Sequence, residues 1–197
     1  MSSLVIFDTE FTAWPGSREH NWSRQGEARE IIQLAALKIK VQQKRLSAVA
    51  SFNVLVKPTI NPNLSEYIQE LTGIRQQVVE DHGVDYPSCA ELFHEFIENG
   101  TLPCYSWGPD VKVLKENHHF NQKQWLYRED SFIDLKTCIK SKGLPFTQLI
   151  SGDLAAKVDK PLVGHKHNAL YDVKSILVFL QTLIEQNRLD LSDLYLE

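Results

Sequence analysis

The period of the apolar positions changes along this chain. Residues 4–9 (LVIFDT) form a short, apolar, β-rich run, the pattern of a buried strand. Residues 30–41 (EIIQLAALKIKV) alternate in their second half, and 51–57 (SFNVLVK) make a third run closed by Pro58. Three strands in succession predict an antiparallel meander. Residues 12–29, between the first two, are polar and contain Pro15, Gly16 and Gly26, so a long loop is expected there.

Helical spacing follows. Residues 65–72, 75–81 and 88–99 place apolar side chains three and four apart. Ser88, with Glu91 three residues on, has the form of a capping box. A short strand at 103–106 leads into a helix at 110–119, and an edge strand at 131–134 into a helix ending at 141. Further helices are expected at 146–157 and 168–186. Strands first, then strands alternating with helices, give an α/β fold: a mixed sheet with helices packed on it.

Bulk properties narrow the class. The chain has 197 residues, 43% hydrophobic and 23% charged, which suits one globular domain spanning 1–197. Cys89, Cys104 and Cys138 are odd in number and widely spaced, so neither a disulfide framework nor a zinc knuckle is expected. A cytoplasmic setting follows from that reading. No secretory signal is expected at the N-terminus, and no apolar run approaches the ~20 residues of a membrane helix. The net charge of −4 argues against nucleic acid as a partner unless bound cations set the local sign.

Candidate chemistry starts with Asp8 and Glu10. Side chains two apart on a strand share a face. Two carboxylates together at the end of an apolar strand repel, and burying them unpaired is costly. A divalent ion with a taste for hard oxygen, Mg²⁺ or Mn²⁺, removes that cost. The alternative is a solvated acidic pair at a strand end. A third acid, Asp172, follows His167 by five residues, which on a helix would leave the two side chains ~140° apart. They reach one site only if His167 precedes the helix and Asp172 lies in its first turns, which Gly164 and Asn168 allow. Asp110 follows Gly108-Pro109 at a strand-to-helix junction, where it is either a cap or a ligand at a strand's C-terminal end.

Taken together, FDTEF, SWGPD and GHKHNALYD resemble, in order and content, the three motifs of the DEDDh branch of DnaQ-like 3′→5′ exonucleases. Residues 30–35 (EIIQLA) and 60–74 (INPNLSEYIQELTGI) extend the likeness, which with Trp107-Gly108 is nearest to the enhanced-RNAi/KapD-type subgroup. It covers a core of about 4–183, leaving a tail at 189–197. Several features depart from the pattern: Pro109 sits between Gly108 and Asp110, the Trp-to-Asp spacing is shorter than in many relatives, Gln33 stands where many relatives carry an acid, and the 12–29 loop has its own sequence.

The resemblance implies a ribonuclease H-like, mixed five-stranded sheet flanked by helices. It implies hydrolysis of phosphodiester bonds from the 3′ end of single-stranded RNA and/or DNA, with two divalent ions, Mg²⁺ or Mn²⁺, and release of nucleoside 5′-monophosphates. Asp8 would bridge the ions, Glu10 and Asp172 would complete one site, and Asp110 would serve the other. His167 would be the general base, with His165 its rival. Phe11 and Thr12 would meet the terminal nucleotide, and Trp14 and Trp22 could stack on bases. Lys166, with Lys157, Lys160 and Lys174, would face the phosphate backbone or make a solvated surface. Two readings compete: a nucleic-acid-binding module without turnover, and a related endonuclease.

Overall fold

The computed structural model describes residues 2–194. Strands β1 (Ser2–Phe11), β2 (Ile31–Gln42) and β3 (Arg45–Leu55) form the antiparallel meander. Strands β4 (Cys104–Ser106) and β5 (Phe132–Asp134) join β1 in parallel, giving the order β3-β2-β1-β4-β5. Strand β1 is central, which is why its sequence is apolar on both faces. Leu4 and Ile6 enter one core cluster with Phe179 and Leu183, while Val5 and Phe7 enter another with Phe93 and Leu114.

The helices are α1 (Glu66–Thr72), α2 (Gln76–His82), α3 (Tyr86–Phe96), α4 (Asp110–Phe120), α5 (Leu135–Ser141), α6 (Leu154–Lys157) and α7 (Ala169–Glu185). Helix α7 buries its apolar side against β1 and β2, and α3 and α4 cover the opposite face of the sheet. Asp8 and Glu10 continue the Leu4–Ile6 row of alternate positions and so lie on the α7 side. The register then jumps: Glu10 pairs with Gln33 but Phe11 with Ile31. This bulge twists the end of β1 beside the acids, a common place for one.

Several boundaries differ from the sequence reading. Strand β3 starts at Arg45 rather than 51, because β2 reverses in a two-residue turn with Gln43 at φ 52°. Helix α3 starts at Tyr86, with Asp85 as the cap whose carboxylate accepts from the Ser88 amide at 2.7 Å. Ser88 therefore lies inside the helix, and the expected capping box is corrected. Of 146–157 only α6 is α-helical, and a 3₁₀ turn, Ser151–Asp153, comes first.

Residue 1 and residues 195–197, the last three of the expected tail, lie outside the described residues. Leu189 and Leu194 are buried in the α7 cluster, and the Tyr105 hydroxyl donates to the Leu194 carbonyl. The three cysteines are buried thiols. Among the described residues no helix is long and apolar enough to cross a membrane.

Candidate active site

The C-terminal ends of β1 and β4 and the N-terminal end of α7 meet at a cleft of about 530 Å³ lined by Asp8, Glu10, Asp110, Asp172 and His167. That volume is in the range of small-ligand sites. Asp8 and Glu10 are 6% and 8% exposed, and Asp172 is 2% exposed, so these are buried carboxylates and not a solvated surface pair. None of the four acids takes part in an ion pair among the described residues.

Burial, then the charges of Asp110, Asp172 and Glu10, push the Asp8 carboxyl well above the usual range. Burial, then Asp172 and Asp110, does the same to Glu10. Burial pushes Asp110 and Asp172 up to about 6 against the hydrogen bonds each receives. Four carboxyls whose charges are mutually unfavourable are arranged for something positive between them.

Asp172 shows this at the level of one atom. Its Oδ2 accepts from the Ser151 hydroxyl at 2.7 Å, while its Oδ1 is buried with no hydrogen-bond partner. A buried orphan acceptor is costly unless a cation or water meets it. Glu10, His167 and Asp172 each offer a ligand atom, all within 4.8 Å of one another. This donor set, two carboxylates and an imidazole, fits a divalent ion.

Local structure sets each side chain. Asp110 is the first residue of α4, and its Oδ1 accepts from the Thr9 amide at 3.2 Å and the Thr9 hydroxyl at 2.7 Å, tying that helix to β1. His167 precedes α7 in the left-handed region, φ 61°, which histidine tolerates better than most residues. That backbone lets His167 and Asp172, which a continuous helix would aim apart, face one cleft. Burial, more than any neighbouring charge, lowers the His167 pKa.

Gln33 holds the start of α7. It lies opposite Glu10 across the β1–β2 pair and is 2% exposed. Its Oε1 accepts from the Ala169 amide at 2.9 Å, and its Nε2 donates to Asn53 Oδ1 at 2.8 Å. Asn168, the expected cap, makes no side-chain cap hydrogen bond, so Gln33 supplies that acceptor from the sheet. Gln33→Leu is expected to leave the Ala169 amide unsatisfied, let α7 shift, and weaken both activity and metal dependence by ~10–100-fold, the usual scale for groups that orient ligands. Gln33→Glu keeps an acceptor and should retain most function. Metal titrations of activity would check this, and equal losses in both variants would contradict it.

Phe11 and Trp14 line the cleft, as does Trp22, whose ring meets Phe11 edge-on with centroids 5.3 Å apart. Two residues expected to meet the substrate do not line this cleft. Thr12 is 1% exposed: its amide donates to Glu30, its hydroxyl donates to the Ala28 carbonyl at 2.5 Å, and neither is free for a ligand. Lys166 does not line the cleft, and its ammonium pairs with Asp153 on the surface. Lys160 likewise pairs with Glu185 on the surface. His165 is exposed outside the cleft, its ring close to Gly73.

Ser151 and Gly152 were not visible as site residues in the sequence. A Cβ on Gly152 would come within 2.7 Å of Asp172 Oδ1, so only glycine leaves that oxygen in place. Arg18, Tyr67 and Lys136 also line the cleft and carry no motif that would single them out.

The fold and this cleft define a class, and the comparisons agree on it. The exonuclease family model (RNase_T) matches residues 5–179, and the chain belongs to that family. Among named relatives, ERI1 exoribonuclease 2 of Xenopus laevis is 33% identical over 95 residues, 48% of this chain and 12% of that protein. The 3′-5′ exonuclease eri1 of Schizosaccharomyces pombe is 27% identical over 155 residues, 76% of this chain and 50% of that one. The chain thus spans at most half the length of these relatives. The nuclease domain of 3′hExo, a DEDDh family member solved bound to rAMP, has the same fold: TM-score 0.73 at 18% identity, covering 94% of this chain and 92% of that one.

Proposed function

We propose that this chain is a metal-dependent 3′→5′ exonuclease of the DEDDh type, acting on single-stranded RNA and/or DNA and releasing nucleoside 5′-monophosphates. The observation that carries the reading is the set of carboxylates without ion pairs, buried Asp8, Glu10 and Asp172 with half-buried Asp110, converging with His167 on one cleft. The name of one relative, ERI1 exoribonuclease 2, favours RNA.

In this mechanism Asp8, Glu10 and Asp172 would hold one divalent ion and Asp110 would help hold a second, Mg²⁺ or Mn²⁺; bound there, they would supply positive charge for an in-line displacement at the phosphate. His167 takes the proton from the attacking water, and its lowered pKa keeps the imidazole neutral and ready near pH 7. Ser151 holds Asp172 through its Oδ2, and Gly152 leaves room for its Oδ1. Phe11, Trp14 and Trp22 give the terminal nucleoside an aromatic wall, worth ~1–3 kcal/mol per stacked base without reading sequence. The described core works as one catalytic domain, about 4–183. Its buried thiols suit a reducing, cytoplasmic setting.

The test is digestion of a 5′-labelled single strand with a free or a blocked 3′ end, with Mn²⁺ or with EDTA. The free end should give a ladder shortening from the 3′ side, the blocked end should stall, and EDTA should stop both. Cleavage of the blocked strand would indicate an endonuclease, and no metal-dependent product would indicate a binding module.

A further inference from the structure

Two cations in the cleft form no ion pair among the described residues. Arg18, on the loop between β1 and β2, and Lys136, in the first turn of α5, both line it. Arg29, a third cation there, is bound through both its Nε and a terminal nitrogen to Glu116. Among the described residues neither Arg18 nor Lys136 forms an ion pair. Lys136 is half-buried, its ammonium 5.9 Å from the centre of the Trp107 ring. Arg18 is exposed, and the two cations line one cleft from different elements, the β1–β2 loop and α5. Lys136 feels the carboxylates of Asp134 and Asp110 without pairing with either, so its ammonium, like the Arg18 guanidinium, keeps its donors free for an anion.

The depth of each group orders the ligand. Asp8, Glu10 and Asp172 lie at the buried end of the cleft, and the phosphate being cut belongs there. Arg18 is exposed and Lys136 half-buried, so both lie nearer to solvent than those acids. We infer that Arg18 and Lys136 form a second phosphate subsite, which takes the phosphodiester on the 5′ side of the bond being cut. The inference rests on the exonuclease reading above. It makes the chain sensitive to one more phosphate than the chemistry itself needs, and it favours oligonucleotides over single-phosphate esters.

The test compares wild type, Arg18→Ala and Lys136→Met on two substrates with Mn²⁺. One is a single-stranded oligonucleotide, and the other is a nucleoside 5′-(p-nitrophenyl phosphate), which has no phosphate upstream of the cleaved bond. Each variant should lose about tenfold or more in kcat/KM on the oligonucleotide, and at least about fivefold less than that on the ester. The slope of log rate against log salt on the oligonucleotide should also fall, by ~0.7 per cation removed. Lys136→Met keeps the apolar stem against Trp107, and Arg18 is exposed, so folding is preserved. An active wild type whose variants lose equally on both substrates, or lose nothing, would overturn the subsite alone. A wild type inactive on both substrates would overturn the exonuclease reading and the subsite with it.

Discussion

Asp8→Asn should abolish metal-dependent cleavage and at the same time make the metal-free protein more stable. Asp8 is buried, unpaired, and faced by Asp110, Asp172 and Glu10. Removing its charge takes away a metal ligand, with an expected loss of at least roughly 10²–10³-fold in kcat, the scale for deleting one electrostatic contact at a reacting centre. The same change relieves repulsion that stays uncompensated when no cation is bound. Each ~1 kcal/mol gained would raise Tm by about 2–4 °C in a protein of this size. Melting in EDTA beside activity in Mn²⁺ reads both halves. A variant that is inactive and also less stable in EDTA would mean that Asp8 is structural.

His167→Ala should cost ~10²–10⁴-fold, the usual contribution of a general base, while His165→Ala should cost little. The distinction is geometric: His167 is in the cleft within 4.8 Å of Glu10 and Asp172, and His165 is outside it. His167→Asn is a useful companion, because asparagine also accepts the left-handed backbone at this position. In wild type the rate should rise with pH as the imidazole loses its proton. Burial lowers that pKa, so the rise should fall below the ordinary value near ~6.5. A pH–rate profile that kept this limb in His167→Ala would assign the base elsewhere.

Much of the site was legible because its geometry is local. Asp8 and Glu10 share a face by strand periodicity, and the structure keeps Leu4, Ile6, Asp8 and Glu10 on the α7 side of the sheet. The requirement that His167 precede its helix followed from helical angles alone, and it does, with φ 61°. The five-stranded mixed sheet was likewise readable from the order of periodic segments.

What was not legible depends on contacts between distant parts of the chain. Gln33 reads as one polar residue in a strand, and only the packing of α7 on β2 brings it to the Ala169 amide. Ser151 and Gly152 fall in a stretch whose apolar spacing suggests helix, yet Gly152 must meet Asp172 closely and the chain turns there instead. Lys166 looked well placed beside the third motif, but Asp153 captures its ammonium. Arg18 sits in a polar loop whose path no periodicity predicts. That path is set by Trp22 donating to the Thr12 carbonyl, Ser17 to Glu27, and Arg29 to Glu116.

The most direct measurement is thermal melting at pH 5 and pH 8, each with Mn²⁺ and with EDTA. Asp110 and Asp172 are raised to about 6, and Asp8 and Glu10 are raised well above their ordinary values. Raised carboxyls contribute stability that is complete below the unfolded pKa of ~4 and is lost as pH climbs through the folded values. In EDTA the contribution of Asp110 and Asp172 should therefore be largely gone at pH 8. A divalent ion binds the ionised carboxylates, so Mn²⁺ should restore stability at pH 8, by ~2.7 kcal/mol at a hundredfold excess over Kd, or several degrees. At pH 5 protons compete for the same oxygens and the ion should add about 1 °C or less. A Mn²⁺ effect that is absent at pH 8, or equal at both pH values, would contradict a cation-dependent carboxylate centre.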